Sequence, residues 1–237
     1  MKKIVFVTLF IALVLAGCSK DGKKLVVTPD DITVYVDGTK QLTTNVEDAT
    51  FSSSDEYYAT VSDTGLVTGE KVGEAEIVVS SSSGVVSVPI TIMSKYSLYP
   101  DIDELVGKTL SDITKVMGSN YEQSISSSSG ELTYLYRNPT SYVDAILFQM
   151  KGTIVENIGV LVPTTNTSMI AKHLTERYIV AGMQNDMFFF LNHGKKVLLA
   201  MQVYSVKYII ILYTTNTSIK SSDNVEMPMF DASDFGF

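Results

Sequence analysis

The chain has 237 residues, with 18 basic and 26 acidic side chains and a net charge of −8. An acidic surface of this kind does not suit nucleic acid, which is set aside as a partner. Cys18 is the only cysteine, so neither an internal disulfide nor a cysteine metal cluster can staple the fold, and a 45% apolar composition must do that through packing.

Met1-Lys2-Lys3 is a short positive start, and Ile4 to Leu15 is apolar apart from Thr8. This run is shorter than the roughly 20 residues that span a bilayer, and it ends in small residues, as a secretory signal does. Leu15-Ala16-Gly17-Cys18 resembles the lipobox of bacterial lipoproteins. The alternative is an ordinary signal with an incidental cysteine. The resemblance implies removal of residues 1–17, a diacylglycerol thioether on Cys18 and acylation of its new amino group. A thiol is the side chain suited to that alkylation. Two or more acyl chains, palmitate among them, anchor a protein firmly to a membrane. Apart from that covalent lipid we expect no cofactor. Loss of Lys2 and Lys3 leaves 16 basic against 26 acidic residues, so the 220-residue mature chain carries −10.

Residues 18–24 read as a lipidated tether. Lys20-Asp21 is similar to the start of the surface-export signal in lipoproteins of the Bacteroides group, although Gly22 interrupts it. The expected location is the outer membrane, facing the cell surface, with its inner face as the alternative.

From 25 to 93 the pattern is that of a β-sandwich. Ile32, Val34 and Val36 alternate with polar neighbours, as do Ala75, Ile77 and Val79, and then Val86, Val88, Ile90 and Ile92. Turn signals at Asp37-Gly38, Asp63-Thr64-Gly65 and Val72-Gly73-Glu74 divide the strands. Pro89 places the last strand at an edge. The segments Val36-Asp37-Gly38-Thr39-Lys40-Gln41-Leu42, Phe51-Ser52-Ser53-Ser54-Asp55, Ala59-Thr60-Val61, Gly65-Leu66-Val67-Thr68-Gly69 and Val72 to Ile77 together resemble the bacterial Ig-like group 2 family. Phe51 stands where that family usually has Trp. The resemblance implies a sandwich used in surface and adhesive proteins, as a spacer or a binder, without catalytic residues. The serines at 52–54 and 80–83 read as solvated loop and edge residues.

Residues 96–219 change to mixed periodicity. Asp101 to Leu105 is a short helix or turn whose acidic start is the alternative to a calcium site. Thr109 with Asp112 forms a capping-box pattern, Leu110, Ile113 and Met117 share a helical face, and Gly118 ends it. Strands are expected at Leu132 to Tyr136, Val143 to Met150 and Val155 to Val162. A second helix carries Ile170, Leu174 and Tyr178, and strands follow at 188–191, 197–203 and 208–213. The pentapeptide Thr-Thr-Asn-Thr-Ser occurs at 164–168 and again at 214–218. The expected fold is therefore an all-β Ig-like sandwich followed by an α+β two-layer domain. The second domain is read as a duplicated helix-plus-three-strand unit with its helices on one face of an antiparallel sheet. That order, with Gly107-Lys108-Thr109 leading to Gly118, resembles the β-lactamase inhibitor protein fold and small outer-membrane assembly lipoproteins, in architecture only. The tail, 220–237, holds Met227, Met229, Phe230 and Phe235, which either dock on the sheet or stay mobile.

No nucleophile elbow, zinc-protease motif, P-loop or dinucleotide fingerprint occurs, so no catalytic residue and no metal site is expected. Asp234-Phe235-Gly236 matches a kinase tripeptide without the other kinase motifs. Asn166 and Asn216 begin glycosylation sequons that a bacterial chain does not use. His173, beside Arg177, reads as part of a solvated helix face, and His193 as a turn residue. Tyr57-Tyr58 and Tyr142 are aromatic residues near loops or strands. The candidate binding residues are Tyr134 and Tyr136, which share a strand face at i and i+2 and are expected in an exposed aromatic and methionine patch. The function expected is non-enzymatic: a surface lipoprotein whose Ig-like domain presents the second domain to a protein or glycan. The alternative is a periplasm-facing accessory lipoprotein that inhibits another protein or assists its assembly.

Overall fold

The computed structural model describes residues 23–125 and 130–216. The signal segment, Cys18, residues 18–22 of the tether and the tail lie outside the described residues.

The amino-terminal part is built from β1 (Val27–Thr28), β2 (Ile32–Tyr35), β3 (Thr39–Gln41), β4 (Thr43–Thr44), β5 (Thr50–Ser53), β6 (Ala59–Val61), β7 (Leu66–Gly69), β8 (Gly73–Ser81) and β9 (Gly84–Met93). They form a four-stranded sheet, β2-β9-β8-β5, a three-stranded sheet, β3-β7-β6, and the small pair β1-β4. Period-two alternation sends Val67, Ile77, Val79, Val88, Ile90 and Ile92 into one shared core, where none is more than 2% exposed. Gly65 has φ +80°, and a Cβ there would lie 2.9 Å from the Phe51 ring, so the aromatic side chain packs directly on the turn. The edge assignment of β9 needs correcting. From Ile90 to Met93 it pairs with β2 in parallel, and along its other side it pairs with β8. Pro89 is tolerated because the β2 pairing begins only one residue later.

The carboxy-terminal part contains α1 (Leu110–Met117), β10 (Glu122–Ile125), β11 (Leu132–Thr140), β12 (Val143–Lys151), β13 (Ile154–Pro163), α2 (Thr167–Thr175), β14 (Ile179–Gln184), β15 (Met187–Leu191), β16 (Val197–Val203) and β17 (Tyr208–Thr215). Its eight strands form one antiparallel sheet in the order β10-β11-β12-β13-β17-β16-β15-β14. Each unit is thus a helix followed by four strands, not three. The strands missing from the sequence expectation, β10 and β14, are the two outermost. The fourth strands, β13 and β17, meet at the centre from Ile158↔Tyr213 to Pro163↔Tyr208, which gives the sheet a pseudo-two-fold arrangement. Thr164, the first residue of one pentapeptide, follows the end of β13, and Thr214 and Thr215, the first two of the other, are the last residues of β17.

At the start of α1, the Thr109 hydroxyl and backbone N–H both donate to Asp112 Oδ2, at 2.8 and 3.3 Å. Ile113 is fully buried and Leu110 and Met117 pack around it, while Gly118 closes the helix at φ +82°. Across the sheet, Tyr134, Phe148, Ile158, Tyr213, Leu199 and Phe190 form one row on the helix side.

Candidate functional site

Tyr134 and Tyr136 do not form an exposed patch. They are 8% and 4% exposed and belong to the core on the helix side. Tyr121, just before β10, stands edge-on over Tyr134 at 5.0 Å and tilted over Tyr136 at 5.8 Å, and the Tyr136 hydroxyl donates to Gly118 O at 2.8 Å. The i, i+2 spacing did put them on one face, but it is the face that α1 and its following loop cover. Tyr142 is 37% exposed at the tip of the β11–β12 turn. His173 and Arg177 are likewise not on a solvated face. His173 is fully buried on the inward face of α2 with Ile170 and Leu174, and the Arg177 side chain, two residues past the end of α2, is 7% exposed.

Those buried groups tie the two parts of the chain together. The Glu176 carboxylate, just beyond α2, accepts hydrogen bonds from Ser94 Oγ at 2.6 Å and from the backbone N–H groups of Lys95 and Tyr96, each at 3.1 Å. The chain leaving β9 is thereby pinned rather than left as a free linker. Arg177 donates to Asp101 at 2.6 Å, to Ser94 Oγ at 3.0 Å and to Tyr96 O at 3.1 Å. Further bonds cross between the parts: Val72 N–H to Glu176 O at 2.9 Å, Lys71 Nζ to Thr175 O at 2.8 Å and the Tyr57 hydroxyl to Arg177 O at 2.5 Å. His173 Nδ1 lies 3.0 Å from Tyr96 O, and its ring packs on Tyr99 at 4.3 Å. Burial, helped by the Arg177 charge, drives the His173 pKa down to about 3, so the ring is neutral in place.

The same junction leaves a cleft of about 650 Å³. Its sandwich wall is Tyr57, Tyr58 and Val72, and its opposite wall includes Asp103, Glu104, Lys108, Tyr178 and the Asn192-His193-Gly194 turn. His193 Nε2 lies 2.8 Å from Asp55 Oδ2, and its ring stacks on Tyr57 at 4.1 Å with 16° between the planes. Tyr58 stands edge-on to Tyr57 at 5.0 Å. Gly73 makes room for it: φ is +150° there, and a Cβ would come within 2.4 Å of the Tyr58 ring. Burial pushes the Tyr57 and Tyr58 phenols up, with neighbouring negative charge adding to the effect, so both remain hydroxyl donors at neutral pH. Asp103 receives the Tyr178 hydroxyl and the Asn192 amide, each at 3.3 Å, and burial raises its pKa.

The lining therefore offers half-buried aromatic rings, phenol and amide hydrogen-bond groups, and charges of both signs at the mouth. Among the described residues the lining includes the phenols of Tyr57, Tyr58 and Tyr178, and the His193 ring lies stacked on Tyr57. Asp101 is taken by Arg177 and Asp103 by Tyr178 and Asn192, and among the described residues no three His, Cys, Asp or Glu side chains gather as metal ligands. The cleft suits binding. Tyr57 and Tyr58 were visible in sequence as an aromatic pair, but Asp103 and His193 come from segments some 50 and 135 positions away, and no local motif joins them.

Comparison with known proteins agrees with the architecture. Residues 23–92 match the bacterial Ig-like domain (group 2), and residues 1–19 match the prokaryotic membrane lipoprotein lipid attachment site. The amino-terminal sandwich is a group 2 bacterial Ig-like domain. The attachment site implies that this lipoprotein is anchored to a membrane. No curated protein matches the chain. Among solved structures, a mutant of intimin from EHEC O157:H7 is 18% identical, covering 56% of this chain and 92% of its own, with a TM-score of 0.26. Domains 5-6 of the S-layer protein SbsC are 12% identical, covering 84% and 86%, with a TM-score of 0.26. At those scores neither likeness carries an argument about the carboxy-terminal sheet or the cleft beside the Ig-like domain.

Proposed function

We propose that this protein is a non-enzymatic outer-membrane lipoprotein, exposed at the cell surface and held by diacylglycerol and N-acyl chains on Cys18. In this reading the Ig-like domain does more than space the second domain from the membrane. It contributes Tyr57 and Tyr58 to a cleft completed by Asp103, Asn192 and His193, and that cleft binds a protein or glycan. The observation that carries the proposal is the cleft itself, which neither part forms alone and which combines aromatic faces with fixed polar groups.

The test is a panel of surface glycans and proteins probed with the purified chain and with Tyr58→Ala. Tyr58 is partly exposed and its ring faces the cleft, so its loss should weaken binding at least tenfold while leaving the fold intact. A ligand bound equally by both forms places recognition elsewhere. Protease treatment of intact cells addresses location separately. Cleavage supports surface exposure, and full protection favours the periplasm-facing accessory role. Cys18→Ala should release the protein from membranes.

A further inference from the structure

Two features of the cleft narrow what it can take. The first is a seated aromatic ring. Tyr58 lies over Gly73, and it stands at a steep angle to Tyr57 and His193, with ring centroids 5.0 and 5.2 Å away. The ring is held in place by its neighbours and is still partly exposed. Such a ring offers a flat apolar face whose rotamer freedom is already spent before a ligand arrives. The second feature is charge balance. Asp101, Asp103 and Glu104 are matched in number by Lys108, Arg177 and Lys196. Asp101 and Arg177 meet at 2.6 Å, and Asp55 at the edge is engaged by His193. A polyanion or a basic segment entering the cleft would meet as many like charges as opposite ones. The hydrogen-bonding capacity is nevertheless high. Each Asp103 oxygen takes one long bond of 3.3 Å and keeps a further lone pair. Among the described residues the Tyr58 hydroxyl, the Glu104 carboxylate and the Lys108 ammonium make no hydrogen bond, so all three are available to a ligand.

We infer that the cleft takes a short neutral oligosaccharide. The inference rests on the binding role proposed above and names the ligand class. A pyranose ring has an apolar C–H face and a rim of hydroxyls that each donate and accept. The C–H face stacks on Tyr58, the rim hydroxyls donate to Asp103 and Glu104, and they accept from Lys108 and the Tyr58 hydroxyl. Donors and acceptors of both kinds are therefore used without any net charge on the ligand. The volume of about 650 Å³ falls inside the roughly 300–1,000 Å³ of ligand pockets and leaves room for more than one sugar ring. A protein partner fits less well. The centre of a protein interface is depleted of charge, whereas charged side chains of both signs line this cavity.

Calorimetric titration of the full chain in detergent tests this. The probes are short gluco-, galacto-, manno- and xylo-oligosaccharides, with oligogalacturonate and a polylysine peptide as charged comparators. At least one neutral probe should bind, and its affinity should change less than about twofold between roughly 0.05 and 0.5 M salt, because screening acts on charges. Tyr58→Ala should weaken that probe at least tenfold, while Tyr58→Phe, which keeps the ring, should stay within about threefold. Should Tyr58→Ala fail to fold, Glu104→Ala, at an exposed position in the cleft, should still weaken binding about threefold or more. Binding of oligogalacturonate or polylysine in preference, with steep salt dependence and loss in Tyr58→Ala, overturns the neutral-glycan inference and leaves the cleft a binding site. A neutral probe bound equally well by the native chain, Tyr58→Ala and Glu104→Ala overturns the inference and the binding role of the cleft together. Binding of no neutral probe overturns the inference alone.

Discussion

The Ig-like domain and the carboxy-terminal sheet solve the burial problem differently. In β8 and β9 the buried residues alternate with exposed ones, because each sheet of the sandwich has one core face and one wet face. In β13, β16 and β17 burial runs continuously, as in Ile158 to Val162, Val197 to Met201 and Tyr208 to Thr214. Continuous apolar runs in strands mean that both faces are covered. The difference teaches that a sandwich is finished by its own strands, whereas a single eight-stranded sheet is finished only by layers added on each side.

Adjacent substitutions sharpen that contrast most strongly. Ile146 and Leu147 point to opposite faces of β12 and both are fully buried, so Ile146→Ala and Leu147→Ala should each destabilise by about 3 kcal/mol. In the sandwich only one of two neighbours should matter: Ile77→Ala about 3 kcal/mol, Val78→Ala under about 1 kcal/mol. Denaturant unfolding measures all four, and a small value for Leu147 would make the outer face a wet one.

The junction should respond next. Glu176→Ala removes three acceptor contacts to the Ser94–Tyr96 segment and leaves Arg177 with a depleted shell, which should cost roughly 3 kcal/mol and split calorimetric unfolding into two transitions. A single unshifted transition would mean the two parts are coupled by something else.

Acid should weaken the carboxy-terminal part before the sandwich. His173 has a folded pKa of about 3, below its ordinary 6.5, so the unfolded chain takes up the proton first. The stability this neutral ring contributes is complete above pH 6.5 and falls by about 1.4 kcal/mol per unit below it, or roughly 2 kcal/mol by pH 5. Asp103, with its raised pKa, acts in the opposite sense but only near the carboxylate range. Urea midpoints at pH 7 and pH 5 should differ in the native chain and converge in His173→Gln. The smallest effect is local to one helix: Thr109→Ala should remove about 1 kcal/mol through the lost cap of α1.

Much of the sandwich was legible because its signals are local. Turn glycines and the alternation of Ala75, Ile77 and Val79 marked the strands without any long-range information, and Thr109 with Asp112 marked the start of α1 equally well. The edge strands were not legible. Glu122-Gln123-Ser124-Ile125 is mostly polar, and Ile179 to Gln184 contains Gly182 and is largely exposed, since an outermost strand has few neighbours to pack against. The burial of His173 has a signal in the sequence that its polarity masks: Ile170, His173 and Leu174 fall at i, i+3 and i+4, on one helical face. The cleft had no local signature at all, because it exists only where two separately specified folds meet.

That meeting is the centre of the account, and hydrogen exchange at the junction tests it most directly. The N–H groups of Lys95 and Tyr96 donate to the Glu176 carboxylate, and that of Val72 donates to the Glu176 carbonyl. In the native chain these three amides should exchange at least a hundredfold more slowly than an unstructured peptide, and in Glu176→Ala those of Lys95 and Tyr96 should lose that protection. Exchange of all three at unstructured rates in the native protein would show that the two parts move independently, and the cleft would then not be a standing feature of the molecule.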